Sequence, residues 1–120
     1  MLSPLNMLCW NIQGASRTDS IRYVGKLCRD NSVRLLVLLE PMSEVGQMEV
    51  VRRRLNFDNA ASLIDRKIWL FWDSRFSLTY IEHAEQLVHV TASFGSGVSI
   101  GISVVYANAP RWPDGHSGRR

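Results

Sequence analysis

The chain has 120 residues, 46% hydrophobic and 21% charged, with a net charge of +3. This composition is typical of one folded domain or part of one, and it excludes a disordered chain. The mild basicity is compatible with a phosphate-rich partner, but an ordinary solvated surface accounts for it equally well. No apolar run is long enough to cross a membrane, and the N-terminus lacks the pattern of a signal peptide. We therefore expect an intracellular protein, in the nucleus or cytoplasm, with Cys9 and Cys28 as reduced core residues.

The first half of the chain predicts a strand, a helix and a second strand. Residues 6–12 are apolar on both faces until Asn11, so we expect both faces of this strand to be covered. Residues 16–30 have helical apolar spacing, and the strand over 33–39 stops at Glu40. Such a unit is parallel with a right-handed crossover. Asn11 and Glu40 should therefore meet at the carboxyl edge of the sheet, where open α/β sheets bind ligands.

A second helix is predicted over residues 43–55, with its inner face formed by Val45 and by apolar residues at helical spacing after it. Its last turn carries Arg52, Arg53 and Arg54. These arginines would either contact phosphates or form a solvated helix end, and the second is the more common arrangement.

In the second half the apolar period changes to two, which predicts strands. Five strands are expected, over residues 57–64, 68–72, 76–80, 87–94 and 98–106. They should form an antiparallel meander, or most of one. The pattern then fails, and residues 109–120 are predicted to be a disordered tail.

Three side chains are candidates for chemistry at the predicted edge. Glu40 is a hard oxygen ligand that suits Mg²⁺, and Asn11 would orient a water or a phosphate oxygen through its amide. Tyr106 would reach a phosphate if the last strand ends at the same edge; otherwise it is a rim aromatic. One carboxylate and one amide do not define a metal site by themselves, because many strands end on a glutamate that meets only water. The three histidines form no ligand spacing with the cysteines.

Several segments together resemble a known family. Cys9-Trp10-Asn11-Ile12-Gln13-Gly14 resembles the first motif of the endonuclease/exonuclease/phosphatase superfamily, and Leu38-Leu39-Glu40 resembles its second. Residues 67–73, 86–90 and 104–107 are similar to the endonuclease domain of plant LINE-type retroelements. The resemblance covers about residues 6–108, so that residues 1–108 would be the N-terminal part of such a domain.

The resemblance implies a fold and an activity. The family fold is a four-layered α/β sandwich, which this chain would form only in part, with the C-terminal half missing. The family cleaves phosphodiester or phosphomonoester bonds with Mg²⁺, and DNA is a possible substrate. Glu40 would bind the metal, Asn11 would help to position the metal or the phosphate, and Tyr106 would support the scissile phosphate.

The sequence also departs from the family pattern. Leu39 stands where the family usually has glutamine, Pro41 where threonine is frequent, and Gln13 where some members have aspartate. Neither Gly-Asp-x-Asn nor Ser-Asp-His occurs in these 120 residues. Those motifs supply groups for the nucleophile and for charge stabilisation, which phosphoryl transfer needs together.

We therefore expect weak or absent Mg²⁺ binding and little or no catalysis by this chain alone. Two alternatives are a non-catalytic module that binds nucleic acid or protein, and a structural remnant without a function. A partial sandwich would leave apolar sheet surface and sheet edges open, so we also expect poor solubility or self-association.

Overall fold

The structure, a computed structural model, describes residues 5–14, 18–83 and 86–106. These residues form two helices and seven strands, which confirms a mixed α/β chain. In chain order the elements are β1 (Met7–Asn11), α1 (Thr18–Asp30), β2 (Leu35–Leu39), α2 (Val45–Leu55), β3 (Asn59–Leu63), β4 (Ile68–Trp72), β5 (Phe76–His83), β6 (Leu87–Phe94) and β7 (Ser99–Val105). The predicted tail over 109–120 lies outside the described residues. Neither described helix is long and apolar enough to span a membrane.

The first sheet, called sheet A, has the strand order β1-β2-β4-β3. β1 and β2 are parallel, as predicted, and Asn11 lies opposite Leu39 at their carboxyl ends. β2 lies inside the sheet, and its first four residues are buried. β4 runs antiparallel to β2, so that Ile68, its first residue, also lies opposite Leu39. The turn that leads into β4 is therefore brought to the edge that carries Glu40.

The second sheet, called sheet B, is antiparallel with the order β5-β6-β7. The predicted meander is correct for these three strands. It is wrong for β3 and β4, which pair with each other and join sheet A beside β2. The physical reason lies in β4, whose residues Ile68–Phe71 are all buried. A strand that is apolar on both faces needs a neighbour on each side and a covering layer on each face.

Sheet A lies between the two helices and sheet B, and the described residues thus form three layers. On one face of sheet A, Leu38 and Trp69 pack in a cluster with buried residues of α1 and α2. On the other face, Val37 and Leu70 pack with Val90 and other inner residues of sheet B. Burial of each such large side chain stabilises the fold by about 1.5–3 kcal/mol.

Strand β1 is less buried than its sequence predicts. Met7, Cys9 and Asn11 are all exposed, although they lie on the face of sheet A that sheet B covers elsewhere. β1 is the outermost described strand of sheet A, and the described strands of sheet B leave this face open. The predictions that both faces of β1 are covered and that Cys9 is a core residue are therefore wrong. Cys28 is buried, as predicted.

Helix α2 leads from the edge that carries Glu40 toward the opposite edge of sheet A. It ends at Leu55 and is capped by Asn56, whose φ of 65° is left-handed and whose N–H donates to the carbonyl oxygens of Arg52 and Arg53. With a rise of 1.5 Å per residue, Arg53 lies roughly 12 Å further along the axis than Val45. Val45, predicted on the inner face, is exposed instead. The three arginines and Glu40 therefore lie at opposite ends of this helix.

Candidate functional site

The carboxyl ends of β1 and β2 bring Asn11 and Glu40 together, as predicted. The Asn11 amide Nδ2 lies 3.4 Å from Glu40 Oε2, which is a long hydrogen bond. The backbone pairing continues past the strands, because Gly14 N–H donates to the Glu40 carbonyl oxygen at 3.0 Å. Gly14 has a φ of 116°, which glycine adopts without steric cost. The position of Glu40 is thus fixed from the β1 side by backbone and side chain together.

The backbone of Glu40 is also fixed from the other side. Its N–H donates to the carbonyl oxygen of Lys67 at 2.9 Å, just before β4 begins. Glu40 has a φ of 54°, in the left-handed region that costs a residue with a side chain roughly 1–2 kcal/mol. The neighbouring hydrogen bonds impose this conformation. Such backbone strain is found preferentially at functional sites, although it does not identify a function by itself.

The turn between β3 and β4 forms the second part of this edge. Ile64, Asp65 and Arg66 have φ values of 53°, 49° and 66°, a run of three left-handed residues. Ile64 N–H donates to Glu82 Oε1 at 2.8 Å, and Glu82 belongs to β5 in sheet B. Lys67 N–H donates to the Ile64 carbonyl oxygen at 3.0 Å. A carboxylate of sheet B therefore anchors the turn that carries Arg66 and Lys67.

A cleft of about 500 Å³ opens at this edge. Its polar lining consists of three carboxylates, two cations, a serine and a phenol: Glu40, Glu44, Asp65, Arg66, Lys67, Ser43 and Tyr106. Two of the three predicted site residues thus share one cleft. The third, Asn11, contacts the Glu40 carboxylate without lining the cleft itself.

Tyr106 follows β7 directly and is only 7% exposed, so the alternative of a rim aromatic is wrong. Its ring belongs to the core between the sheets, together with Val37 and Val104. Its N–H donates to the Gln86 carbonyl oxygen at 2.7 Å, which fixes the end of the strand. Burial raises the pKa of the Tyr106 phenol, and the negative charge of Glu40 raises it further. The hydroxyl therefore keeps its proton at neutral pH and is available as a donor.

The two cations of the cleft differ in their surroundings. Arg66 pairs with Glu44 at 3.2 Å, and both side chains are more than half exposed, so this pair contributes little stability. Lys67 is half-buried, and its ammonium nitrogen lies 5.9 Å from the centroid of the Tyr106 ring. Within the described residues Lys67 makes no ion pair.

Sequence reasoning named Glu40 and Tyr106 as candidates but missed other charged residues that line the same cleft, among them Glu44, Asp65 and Lys67. Asp65 and Lys67 belong to the turn between β3 and β4. The signal that places them is the pairing of β4 with β2: two adjacent antiparallel strands put the start of one beside the end of the other. Predicting that pair would have placed the turn beside Glu40.

The described residues contain no group of three or more His, Cys, Asp or Glu side chains placed to hold a metal ion. A Mg²⁺ ion nevertheless needs only one or two protein carboxylates, since it retains several waters. Glu40 is a hard oxygen donor that lines an open, polar cleft and has no cationic partner within the described residues. The residues present therefore fit a single-carboxylate, largely hydrated Mg²⁺, and do not fit a metal held by protein ligands alone.

Comparison with models of known protein families gives no match, and a search of curated proteins finds none either.

Proposed function

We propose that this chain carries the metal-binding half of a Mg²⁺-dependent phosphodiesterase site, of the kind found in the endonuclease domains of plant LINE-type retroelements. The observation that supports this most directly is the contact between Asn11 and Glu40 at the ends of two parallel strands, with Tyr106 in the adjoining cleft. The described residues form three layers, which are the helices, sheet A and sheet B. We propose that these are three of the four layers of an α/β sandwich in the whole domain.

The side chains of this half-site have distinct roles in the proposal. Glu40 holds Mg²⁺ through one carboxylate, and Asn11 restrains that carboxylate through its amide. The protonated Tyr106 hydroxyl donates to an oxygen of the bound phosphate. When bound, Mg²⁺ supplies Lewis-acid stabilisation of negative charge on a phosphoryl oxygen.

The proposal does not extend to hydrolysis by these 120 residues alone. Hydrolysis needs a positioned water and a group that accepts its proton. The family motifs for these tasks, Gly-Asp-x-Asn and Ser-Asp-His, do not occur in the sequence. Binding of Mg²⁺ and phosphate without turnover is the expected behaviour.

The test is a Mg²⁺ titration of the ¹⁵N-labelled chain, followed by amide chemical shifts. We expect weak, saturable shifts centred on Glu40 in the wild type, and their loss in Glu40→Gln. Glu44→Gln is the matched control, because Glu44 lines the same cleft and this substitution removes the same charge. Equal Mg²⁺ affinity in the wild type and Glu40→Gln would remove the proposed metal site. Mg²⁺-dependent nicking of plasmid DNA that Glu40→Ala abolishes would contradict the inactive half-site.

A non-catalytic nucleic-acid-binding module is the second candidate, supported by the net charge of +3 and the arginines of α2. Arg52 is already occupied, since it donates to the Glu49 carboxylate at 3.0 Å and to the Phe57 carbonyl oxygen at 2.8 Å. Arg53 and Arg54 are exposed and remain as the possible phosphate contacts. Binding of duplex DNA that weakens steeply with salt, and that Arg53→Gln and Arg54→Gln together abolish, would support this candidate. No binding at low salt would exclude it.

A further inference from the structure

Lys67 lines the cleft, and its backbone is hydrogen-bonded on both sides. Its N–H donates to the Ile64 carbonyl oxygen at 3.0 Å, and its carbonyl oxygen accepts from the Glu40 N–H at 2.9 Å. The turn before it is held by Glu82 of sheet B. The origin of the Lys67 side chain is therefore set by three hydrogen bonds that also set the position of Glu40 and of the turn.

The ammonium group of Lys67 is placed for an external ligand. It lies 5.9 Å from the centroid of the Tyr106 ring, close enough for a weak cation–π attraction. Arg66, the adjacent cation, is paired with Glu44, whereas Lys67 has no carboxylate partner among the described residues. Lys67 therefore presents an unpaired positive charge at the cleft, with which an anionic ligand can form an ion pair.

Tyr106, whose hydroxyl is a hydrogen-bond donor, lines the same cleft as Lys67. The residue is only 7% exposed. The described residues show no hydrogen bond of its hydroxyl, and the hydroxyl is not one of the buried polar atoms that lack a partner, which are Ser62 Oγ and Trp69 Nε1. The lining of the cleft thus holds a hydroxyl donor and an unpaired cation, and one phosphate group can accept from both.

We propose that Lys67 is a phosphate-binding residue of this site, whose ammonium binds a non-bridging oxygen of a phosphodiester that also accepts a hydrogen bond from Tyr106. This inference rests on the proposed function, since it places the phosphate beside the metal-binding carboxylate. Phosphate oxygens accept from both donors at once, and charge-assisted hydrogen bonds of this type are the stronger kind. Glu40 repels the same anion, so Mg²⁺ should strengthen binding of the phosphodiester.

The arginines of α2 cannot take this role for a ligand in the cleft. They lie at the far end of the helix, and Arg52 is held by Glu49. Arg53 is exposed and makes no ion pair among the described residues, so it provides a matched control with the same change in net charge.

The test compares Lys67→Met with Arg53→Met in the full chain. Methionine keeps most of the lysine stem that packs near Tyr106 while it removes the charge. The probe is a dithymidine dinucleotide with a single phosphodiester, titrated with and without Mg²⁺ and followed by the amide shifts of residues 40, 67 and 106. Inorganic phosphate is titrated in parallel. We expect Lys67→Met to weaken dinucleotide binding about tenfold, and Arg53→Met by less than about twofold.

Further variants keep the test decisive. Lys67→Arg should retain binding, because it retains the charge, and Tyr106→Phe should weaken binding by a smaller factor than Lys67→Met. A melting curve and a dispersed spectrum check that each variant is folded; if Lys67→Met unfolds, Lys67→Gln replaces it. Equal losses in Lys67→Met and Arg53→Met, or no dinucleotide binding in any form, would overturn the assignment. Tighter binding of inorganic phosphate than of the dinucleotide would overturn the phosphodiester as ligand.

The Mg²⁺ titration reports on the proposed function separately. If Mg²⁺ changes the amide chemical shifts around Glu40 but dinucleotide binding does not depend on Lys67, only the proposed role of Lys67 is wrong. Lys67-dependent dinucleotide binding in a chain that does not respond to Mg²⁺ would support Lys67 and remove the metal site.

Discussion

The side-chain amide of Asn11 lies 3.4 Å from Oε2 of Glu40, across the ends of two parallel strands. An amide in this position donates to the carboxylate without adding a charge. The pair can therefore be tested by changing only the charge at residue 11, since asparagine and aspartate have nearly the same shape.

Asn11→Asp should place two carboxylates side by side and strengthen Mg²⁺ binding at the proposed site. Without metal, repulsion between the two charges should lower the melting temperature. With Mg²⁺, which gains a second oxygen ligand, the melting temperature should recover and the Mg²⁺ affinity should exceed that of the wild type. Thermal melts over a Mg²⁺ series measure both effects. In Asn11→Asp with Glu40→Gln the repulsion should vanish, which gives a double-mutant cycle for the pair.

Cys28 should make stability fall at alkaline pH. Burial raises the pKa of its thiol from 9.0 to about 11, against a smaller lowering by the charge of Arg29. Well below pH 9 the thiol is protonated in both states and has no effect. As the pH rises through 9 the unfolded thiol loses its proton first, so stability falls until the pH reaches the folded pKa, by on the order of 2–3 kcal/mol.

Denaturant titrations from pH 8 to pH 11 measure this change, compared with Cys28→Ala. The variant should be less stable at neutral pH but should lose less stability across the window. Equal pH slopes in the two proteins would contradict the assignment. Cys9 is exposed, so a thiol reagent at neutral pH should modify Cys9 well before Cys28.

Leu38→Ala should be among the more damaging core substitutions. Leu38 of β2 is fully buried on the face of sheet A that the helices cover. Its truncation leaves a cavity and should lower the free energy of unfolding by about 2–5 kcal/mol. Val45→Ala is the control, because Val45 is 48% exposed and should change stability by less than about 0.5 kcal/mol. Urea titrations give both values. Similar losses at the two positions would mean that the layer between α1 and sheet A is not packed as described.

The open face of β1 should promote self-association. Met7 is 43% exposed on an outer strand, and such strands pair with other chains unless a charge blocks them. Met7→Lys should therefore shift the protein toward the monomer in sedimentation velocity experiments over a concentration series. Val50→Lys adds the same charge at a helix residue of the same 43% exposure and should leave association unchanged. A wild-type protein that is monomeric at all concentrations would refute this prediction.

The unit β1-α1-β2 and the meeting of Asn11 with Glu40 were predictable from the sequence, because both depend on local patterns. A helical period between two apolar runs leaves little choice but a parallel pair, and the two strand ends then share an edge. The buried state of Cys28 follows from the same helical period.

The remainder depends on pairings between distant segments, which periodicity does not determine. The apolar run of β4 predicts a central strand but does not say which sheet contains it. Its pairing with β2 decides that Lys67 lies beside Glu40. The exposure of Met7 likewise depends on whether another strand covers β1, and the sequence of β1 is the same in either case.

The left-handed backbone of Glu40 has a consequence for how this position would change over time. At a φ of 54°, glycine or asparagine would relieve the backbone strain, so the protein fold alone would favour replacing the glutamate. A carboxylate retained there lowers stability, and the proposed Mg²⁺ site would account for its retention. Replacement by glycine over time would raise the melting temperature and remove the proposed Mg²⁺ ligand, which would separate a chain under selection for the proposed site from one that is selected only to fold.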